Sequence, residues 1–592
     1  MNKDLLNTIQ ALAPIVTNAL KSGQLFSPHC ELTEADPDIW CEYDVEIPIL
    51  EGFCLTANVY RSKRAAECGE PMPVVMCAHP YDNHITPALG KTPFGGAPQQ
   101  YRLIPQAGKP KFSKLTSWES PDPNFWVPAG YAVVNMNLPG YANSGGHPSV
   151  FSEHQGKCYY EAIEWIAKQP WCTGKVGLNG VSFLAITQYH VAACQAYGGP
   201  PPSLCCISPW EGLTDPYQDM FTRSGLTELG FPAFWWSTEV KTAINGTPED
   251  FINVEGSIPT NFIEKHPFYD DFWKEKAAKL EEITVPMLVC GSFSDHGLHT
   301  MGSFRAFMKA RSPTAGTHVP SQHKWLYTHR TGKWDAYYSP EVQTLTRNFM
   351  DCFLKGDTSS GFLNTPPVRL EVRASLKEIH SIRYEQEWPI ARTEYQKLYL
   401  TEQQSLSLAV LPASKELAYS AVKGRATFLY EFTKDTELTG YMKLRLWIET
   451  RCDNASQELP DDIGLYVAVN KLSRDKKSVN FYGSVGNSQD MVTRGWARAS
   501  LRELDSAKST PYNPVLSADR EQKLKPGEIV PMEIALYPSS TFFASGEALQ
   551  LIVSPQEIIP SPPYFKDISF NYGIYVMHVG GDFDSHLLIP KV

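Results

Sequence analysis

The first 360 residues alternate short apolar runs with segments whose apolar positions recur at helical spacing. The apolar runs are bounded by Pro, Gly or Asn, as buried parallel strands are. They lie at 74–78, 131–134, 176–179, 204–208, 287–290 and 325–328, and the helical segments lie at 159–168, 183–195, 301–310 and 340–354. Strands that alternate with helices predict a parallel α/β sheet.

Two further segments of this region have helical spacing only. Residues 210–282 are rich in Trp, Phe and acidic residues and contain no clear strand pattern, so an insertion of this length between sheet strands predicts a helical cap. At the N-terminus, large apolar residues recur at helical spacing from Leu5 to Leu20. This pattern predicts an amphipathic helix that lies on the domain.

Beyond about residue 362 the pattern changes to a period of two. Between residues 442 and 448, apolar side chains alternate with polar ones, and 463–469, 532–536, 549–553 and 574–579 look similar. Half-buried antiparallel strands have this period, and Pro, Gly or Ser turns separate them. The prediction is four segments: a first core part at 1–209, a cap at 210–282, a second core part at 283–361 and an all-β sandwich at 362–592.

Composition narrows the classes of function. The 592 residues include 53 Lys and Arg against 64 Asp and Glu, a formal net charge of −11, which argues against a nucleic-acid-binding surface. No apolar run approaches 18 residues, so no membrane-spanning helix is expected. The 13 cysteines include no C-x-x-C pair, and the pattern of the N-terminal segment predicts no secretion signal. This favours free thiols in a reducing cytoplasm, with no metal site.

The most informative motif is Gly180-Val181-Ser182, which falls between a predicted strand and a predicted helix. A serine on such a turn exposes its hydroxyl above the sheet edge, where the N-terminus of the following helix favours an oxyanion. The generic motif is G-x-S-x-G, and Leu184 occupies the place of the second glycine here. The alternative is an ordinary helix N-cap serine.

Two later residues complete a nucleophilic triad by chain order. Asp295 follows the strand at 287–290, and His329 follows the strand at 325–328. Ser, then Asp, then His is the order of the triad in one widespread class of α/β hydrolytic enzymes. Rival acids and rival bases remain in the sequence: Asp270, Asp271 and Asp335, and His296, His299, His318 and His323.

Several segments together resemble the CocE/NonD-type hydrolases, a family that includes cocaine esterase-like enzymes and X-prolyl dipeptidyl-peptidases. The segments are HPYDNH at 79–84, SWESPDPNFWVPAGYAVVN at 117–135, YYEAIEWIAKQPWCTGKVGLNGVSFL at 159–184, HPFYDDFWKEK at 266–276, GSFSDHGLHTMGSF at 291–304 and HVGGDFDSHLLIP at 578–590. The resemblance implies an α/β-hydrolase core with an inserted helical cap and a C-terminal jelly roll. It carries the nucleophile onto Ser182, the acid onto Asp295 and the base onto His329.

The resemblance also implies an oxyanion hole formed by the Tyr81 hydroxyl and the backbone N–H of Phe183. Phe183 and Ala185 replace the family's usual Tyr and Gly, and LPGYANSGG at 138–146 replaces its usual Arg-Gly segment. Four cap aromatics are candidates for lining an apolar substrate pocket, with plain cap packing as the alternative: Phe231, Phe234, Trp235 and Trp236.

The leading hypothesis is a serine carboxylesterase that needs no cofactor. An X-prolyl-type aminopeptidase or amidase, or an acyltransferase, could use the same triad, and a non-catalytic binding protein is the remaining class. An aminopeptidase needs a carboxylate that holds the substrate ammonium, and Glu228 and Glu239 of the cap are candidates. The expected partner is therefore a small-molecule ester or amide, with no nucleic acid or membrane, and the chain could form a homo-oligomer.

Overall fold

The structure is a computed structural model that describes residues 3–23, 25, 29–87, 100–104, 108–311, 323–453, 458–483, 489–561 and 563–592. Among these residues, no helix combines the length and apolar character needed to cross a bilayer.

A mixed, mostly parallel sheet forms the centre of the first 390 residues. Its strand order is β2-β3-β6-β4-β7-β8-β11-β12-β13-β14; the steps from β6 to β13 are parallel, and the outer pairs are antiparallel. The strands up to β14 are β1 Glu31–Thr33, β2 Ile39–Pro48, β3 Cys54–Ser62, β4 Met72–His79, β5 Lys111–Ser113, β6 Ala132–Asn137, β7 Cys172–Val181, β8 Leu204–Trp210, β9 Thr222–Arg223, β10 Leu226–Thr227, β11 Met287–Ser292, β12 Lys324–His329, β13 Val368–Arg373 and β14 Ile379–Glu385. The predicted parallel α/β sheet is confirmed.

Helices cover both faces of this sheet and build the cap. They are α1 Lys3–Lys21, α2 Lys63–Cys68, α3 Gln100–Leu103, α4 Pro123–Trp126, α5 Glu153–Ala167, α6 Phe183–Ala192, α7 Gly230–Trp235, α8 Lys241–Ala243, α9 Pro248–Glu255, α10 Phe262–Lys265, α11 Asp271–Lys276, α12 Thr300–Lys309, α13 Lys333–Tyr337 and α14 Pro340–Met350. The cap contains α7–α11 as expected, together with the short pair β9–β10, which the sequence pattern did not indicate.

The N-terminal helix is confirmed, but its buried face differs from the predicted one. Its small side chains Ala11 and Ala19, together with Ile15, are buried, and the helix packs against α7 of the cap. Leu5 and Leu20 are about half exposed, at 51% and 53%. Small residues allow a closer approach of two helices than leucines do, and close packing in the interior favours that contact.

The C-terminal part is an antiparallel sandwich around its own apolar core. One sheet pairs β19 with β23 on one side and with β26 and β25 on the other, and the second sheet has the order β18-β24-β20-β22. The strands are β15 Glu394–Leu400, β16 Leu406–Ser407, β17 Lys415–Ser420, β18 Ala426–Glu431, β19 Thr436–Arg451, β20 Gly464–Leu472, β21 Ser478–Val479, β22 Thr493–Arg498, β23 Val530–Phe543, β24 Ala548–Ser554, β25 Ile574–Val579 and β26 His586–Lys591. The predicted all-β sandwich is confirmed.

One strand, β13, joins the core to the sandwich. It lies beside β12 of the central sheet, and its last residue, Arg373, is paired with Thr541 of β23. The buried Arg373 guanidinium donates to the backbone carbonyls of Phe293, Val492 and Ser540. Burial lowers the pKa of Arg373 to about 10. Because β13 belongs to both units, the boundary at 361/362 stays a prediction.

We expect Arg373→Leu to destabilise the protein by roughly 3 kcal/mol or more, since several buried acceptors lose a charged donor at once. The matched control is Arg392→Leu, which removes a guanidinium that is 55% exposed and binds Glu385. Surface ion pairs contribute about 1 kcal/mol or less. Urea unfolding followed by tryptophan fluorescence measures both, and equal losses of stability would contradict the role given to Arg373.

Candidate active site

Ser182 lies on a strained turn between β7 and α6. Its backbone has φ 59° and ψ −115°, which a side-chain-bearing residue adopts only when its surroundings enforce it. Gly180 has φ 155°, and a Cβ added there would lie 2.6 Å from the Cβ of Leu184. Leu184 fills the place of the motif's second glycine, so the first glycine is the one that the turn requires. This geometry matches the predicted strand–turn–helix nucleophile motif.

The imidazole that contacts Ser182 belongs to His299. The Ser182 Oγ lies 3.0 Å from the His299 Nε2. His299 directly precedes α12, at the end of the loop that follows β11. The backbone carbonyl of Asp295 accepts N–H groups from Leu298, His299 and Thr300, so this aspartate shapes the loop that presents the imidazole.

His329 does not occupy the position that chain order assigns to it. Its Nε2 lies 2.7 Å from Glu211 Oε1, and its ring stacks on Trp210 with centroids 5.5 Å apart. The reason is that His329 is the last residue of β12 and is itself buried in the sheet, rather than lying in the loop beyond it. The prediction that the side chain of His329 contacts Ser182 is therefore corrected in favour of His299.

The surroundings keep His299 neutral. Burial, followed by the positive charges of Lys333 and Arg223, holds the pKa of His299 well below its ordinary value. Among the described residues, His299 Nδ1 has no hydrogen-bond partner. A neutral imidazole whose Nε2 faces a hydroxyl can accept its proton at neutral pH.

Three buried charges lie close to this pair. Lys333 Nζ is 3.8 Å from Glu119 Oε1 and 4.0 Å from Asp295 Oδ2. Burial disfavours the charge of the lysine, but the carboxylates outweigh burial and raise the pKa of Lys333. Burial raises the pKa of Glu119 to about 7, although Lys333 opposes the shift. Asp295 therefore faces Lys333 within a charge network behind the Ser182–His299 pair.

Tyr81 and Phe183, the two residues predicted to form an oxyanion hole, both line the cavity at Ser182. Tyr81 lines the same cavity as Ser182, and its hydroxyl accepts the Nε1–H of Trp235 at 3.1 Å. The tyrosine O–H proton therefore stays available for donation, and burial raises the pKa of Tyr81 far above its ordinary value. Phe183 is the first residue of α6, where a backbone N–H has no acceptor within the helix.

The cavity above Ser182 is small, at about 30 Å³. This is room for about one water molecule, so a substrate must displace cap side chains to reach the serine. Of the four cap aromatics, Phe231 and Trp235 line the cavity. Phe234 packs inside the cap beside Phe231, and Trp236 packs against Phe251.

The two cap carboxylates named as ammonium ligands have different positions. Glu239 lines the cavity with Glu119 and binds the Gln100 side chain, and burial raises the pKa of Glu239 well above its ordinary value. Glu228 instead pairs with Lys566 of the sandwich at 3.1 Å. Only Glu239 of the two therefore faces the candidate site.

Glu211, Cys290 and His329 bring three metal-ligand atom types within 4.8 Å of one another. The distance of 2.7 Å between His329 Nε2 and Glu211 Oε1 is that of a hydrogen bond. Two ligands of a tetrahedral ion at about 2.0 Å each would lie farther apart, at about 3.3 Å. The cluster is therefore arranged as a buried hydrogen bond between a carboxyl group and an imidazole, beside a thiol.

The residue that sequence reasoning passed over was His299. It stood among the rival bases because nothing in the local pattern separates it from a solvated loop histidine. The available signal was its position four residues after Asp295, at the predicted start of α12, which places both at the carboxyl edge of one strand. Glu211 and Lys333 gave no signal, because Glu211 lies in an unremarkable bend after β8 and Lys333 is the first residue of the short helix α13.

Models of two families match the chain in succession. Residues 51–325 match the X-Pro dipeptidyl-peptidase (S15 family), and residues 360–563 match the X-Pro dipeptidyl-peptidase C-terminal non-catalytic domain. Cocaine esterase from Rhodococcus sp. (strain MB1 Bresler) is 24% identical over 434 residues, which cover 66% of this chain and 67% of the esterase.

Solved structures give a similar result over nearly the whole length. A CocE/NonD family hydrolase from Staphylococcus aureus is 34% identical, covers 94% of both chains and superposes with a TM-score of 0.80. An α-amino acid ester hydrolase, 17% identical with a TM-score of 0.64 over 95% of this chain and 98% of its own, shares the fold. The chain belongs to the CocE/NonD family of serine hydrolases, with an α/β-hydrolase core and a C-terminal all-β domain.

Proposed function

We propose that this protein hydrolyses a carboxylic ester through an acyl-enzyme on Ser182, with His299 as the general base. The observation that carries the proposal is that Ser182 lies on a strained strand–helix turn and that its hydroxyl is 3.0 Å from the buried, neutral imidazole of His299. The similarity to cocaine esterase supports ester chemistry.

The mechanism follows from the placement of the groups. His299 accepts the Ser182 proton as the hydroxyl oxygen attacks the acyl carbon. The Tyr81 hydroxyl and the Phe183 N–H donate to the oxygen that becomes negative, and each such donor contributes about a hundred- to a thousandfold in rate. His299 returns the proton to the leaving alcohol, and water then releases the acid by the same steps in reverse.

In this proposal Asp295 remains the acidic member of the triad, and its negative charge acts on His299 by offsetting the charge of Lys333. Its carboxylate faces Lys333, whose positive charge lowers the pKa of His299. An aspartate that offsets Lys333 makes the imidazolium formed during attack less costly. Glu119 does the same when it is ionised.

A second candidate is the hydrolysis of substrates that carry an ammonium group, as an X-prolyl aminopeptidase requires. Glu239 and Glu119 line the cavity, and the family model that matches the core is named for X-Pro dipeptidyl-peptidases. The raised pKa of Glu239 favours its neutral form when the cavity is empty, and a neutral carboxyl suits an uncharged ester better.

A fluorophosphonate probe should label the wild-type protein and fail to label Ser182→Ala, because the probe needs an activated serine hydroxyl. Ser237→Ala, which alters a hydroxyl on the cap that donates to the backbone of α7, is the matched control and should label normally. Mass spectrometry of the modified peptide gives the site. A folded wild-type protein that takes up no probe would end the proposal.

Substitution of His299 should mainly lower catalytic activity, whereas substitution of His329 should mainly lower stability. His299→Asn should lower kcat by about a thousandfold or more, because the base is lost. His329→Asn should lower the melting temperature instead, because Glu211 is left buried without its partner, and should change kcat by less than about tenfold. Stopped assays and thermal melts on both variants test this, and the opposite pattern would restore His329 as the base.

Substrate choice distinguishes the two candidate functions. We expect turnover of 4-nitrophenyl esters and none of alanyl-proline 4-nitroanilide, with kcat/KM for the ester almost unchanged in Glu239→Gln. An aminopeptidase would show the reverse preference, and Glu239→Gln would cost it roughly tenfold or more, the value of one charged hydrogen bond. Glu228→Gln controls for removal of a cap carboxyl outside the cavity.

A further inference from the structure

A second and much larger cavity lies between the cap, α12 and the sandwich. Its volume is about 340 Å³, within the range of small-molecule sites. It shares no lining residue with the cavity at Ser182. The chain segment Leu213–Phe221 separates the two: Leu213 and Met220 face the serine, and Asp215 and Tyr217 face the second cavity.

The cationic side chains that line this second cavity are each paired with a carboxylate. Arg305 binds Asp219 through both of its terminal nitrogens. Lys309 lies 3.1 Å from Glu281, and Lys508 lies 3.0 Å from Asp505. Among the described residues, each Lys and Arg that lines the cavity therefore already has a carboxylate partner, which disfavours binding of an anion.

Asp215 is the carboxylate that lacks such a partner. Its oxygens accept hydrogen bonds from the backbone and side chain of Gln218 and from Tyr269, all neutral groups. Within the described residues, no Lys, Arg or His nitrogen forms an ion pair with it, although the more distant Arg305 acts on it through its field. Asp215 is only 7% exposed, and burial raises its pKa to about 6.

Four tyrosines also line the cavity. Tyr217, Tyr269, Tyr441 and Tyr537 come from the cap and from two strands of the sandwich. The faces of such rings attract cations, and organic ammonium ions are bound in this way by aromatic walls together with a carboxylate. A buried carboxylate whose hydrogen-bond donors are all neutral is costly to ionise, and a cation bound beside it reduces that cost.

We propose that this cavity binds an organic ammonium ion of about the size of benzyltrimethylammonium, with its nitrogen beside Asp215 and its apolar groups against the tyrosine rings. The site is separate from Ser182 and does not depend on the proposed esterase activity.

Isothermal titration of the full-length protein with benzyltrimethylammonium tests the proposal. We expect one site per chain, and binding weaker by roughly tenfold or more in Asp215→Asn, which keeps the shape and removes the charge. Asp271→Asn, which removes a carboxylate that is 98% exposed on the same cap, should bind as the wild type does.

A second variant keeps the test decisive if Asp215→Asn fails to fold. Ala277→Phe places a ring in the cavity wall and leaves Asp215 intact, so it should block binding by bulk. Unchanged binding in Ala277→Phe, or in a folded Asp215→Asn, would overturn the proposal. Binding that is lost in Glu239→Gln would also overturn it, since the cation would then lie in the Ser182 cavity, as would no binding to the wild type at millimolar probe.

Discussion

The site depends on one backbone constraint, the turn in which β7 becomes α6. Ser182 has a left-handed φ of 59° there, and the contact between Gly180 and Leu184 leaves no room for a side chain at position 180. Strain of this kind costs of order 1–3 kcal/mol and persists because β7 lies between two neighbours in the sheet and α6 is almost wholly buried. The turn lifts the hydroxyl off the sheet and puts the first N–H of α6 beside it, so one local structure positions both the proposed nucleophile and one proposed oxyanion donor.

The chemistry around this turn depends on burial as much as on contact. Lys333, Asp295 and Glu119 form a buried charged cluster close to His299, in which burial raises the pKa of Glu119 to about 7. Burial, then the charge of Lys333, favours the neutral imidazole, and the carboxylates of Asp295 and Glu119 act against Lys333. The cavity above the serine has a volume of only about 30 Å³, and Trp235 of the cap is part of its wall.

Periodicity predicted the fold well, because strands buried on both faces and strands buried on one face leave different patterns in the sequence. The sheet strands, the cap and the sandwich followed from that difference, and β13 shows its limit. Residues 368–373 are wholly buried by two units at once, and no local pattern reveals which sheet a strand joins. The N-terminal helix shows a related limit, since alanines rather than leucines make its contact with the cap.

Chain order predicted the turn at Ser182, but the imidazole that the structure places beside this serine is that of His299 and not that of His329. His329 ends a strand in the sequence pattern, but whether its ring leaves the sheet depends on one residue of register and on Glu211, which lies 118 positions away in the sequence. The proposed mechanism therefore depends on which imidazole accepts the Ser182 proton. A crystal structure of the phosphonate-labelled protein tests this most directly. His299 Nε2 within about 3.2 Å of the Ser182 oxygen or the phosphonyl group is the predicted result, and His329 in that position would contradict it.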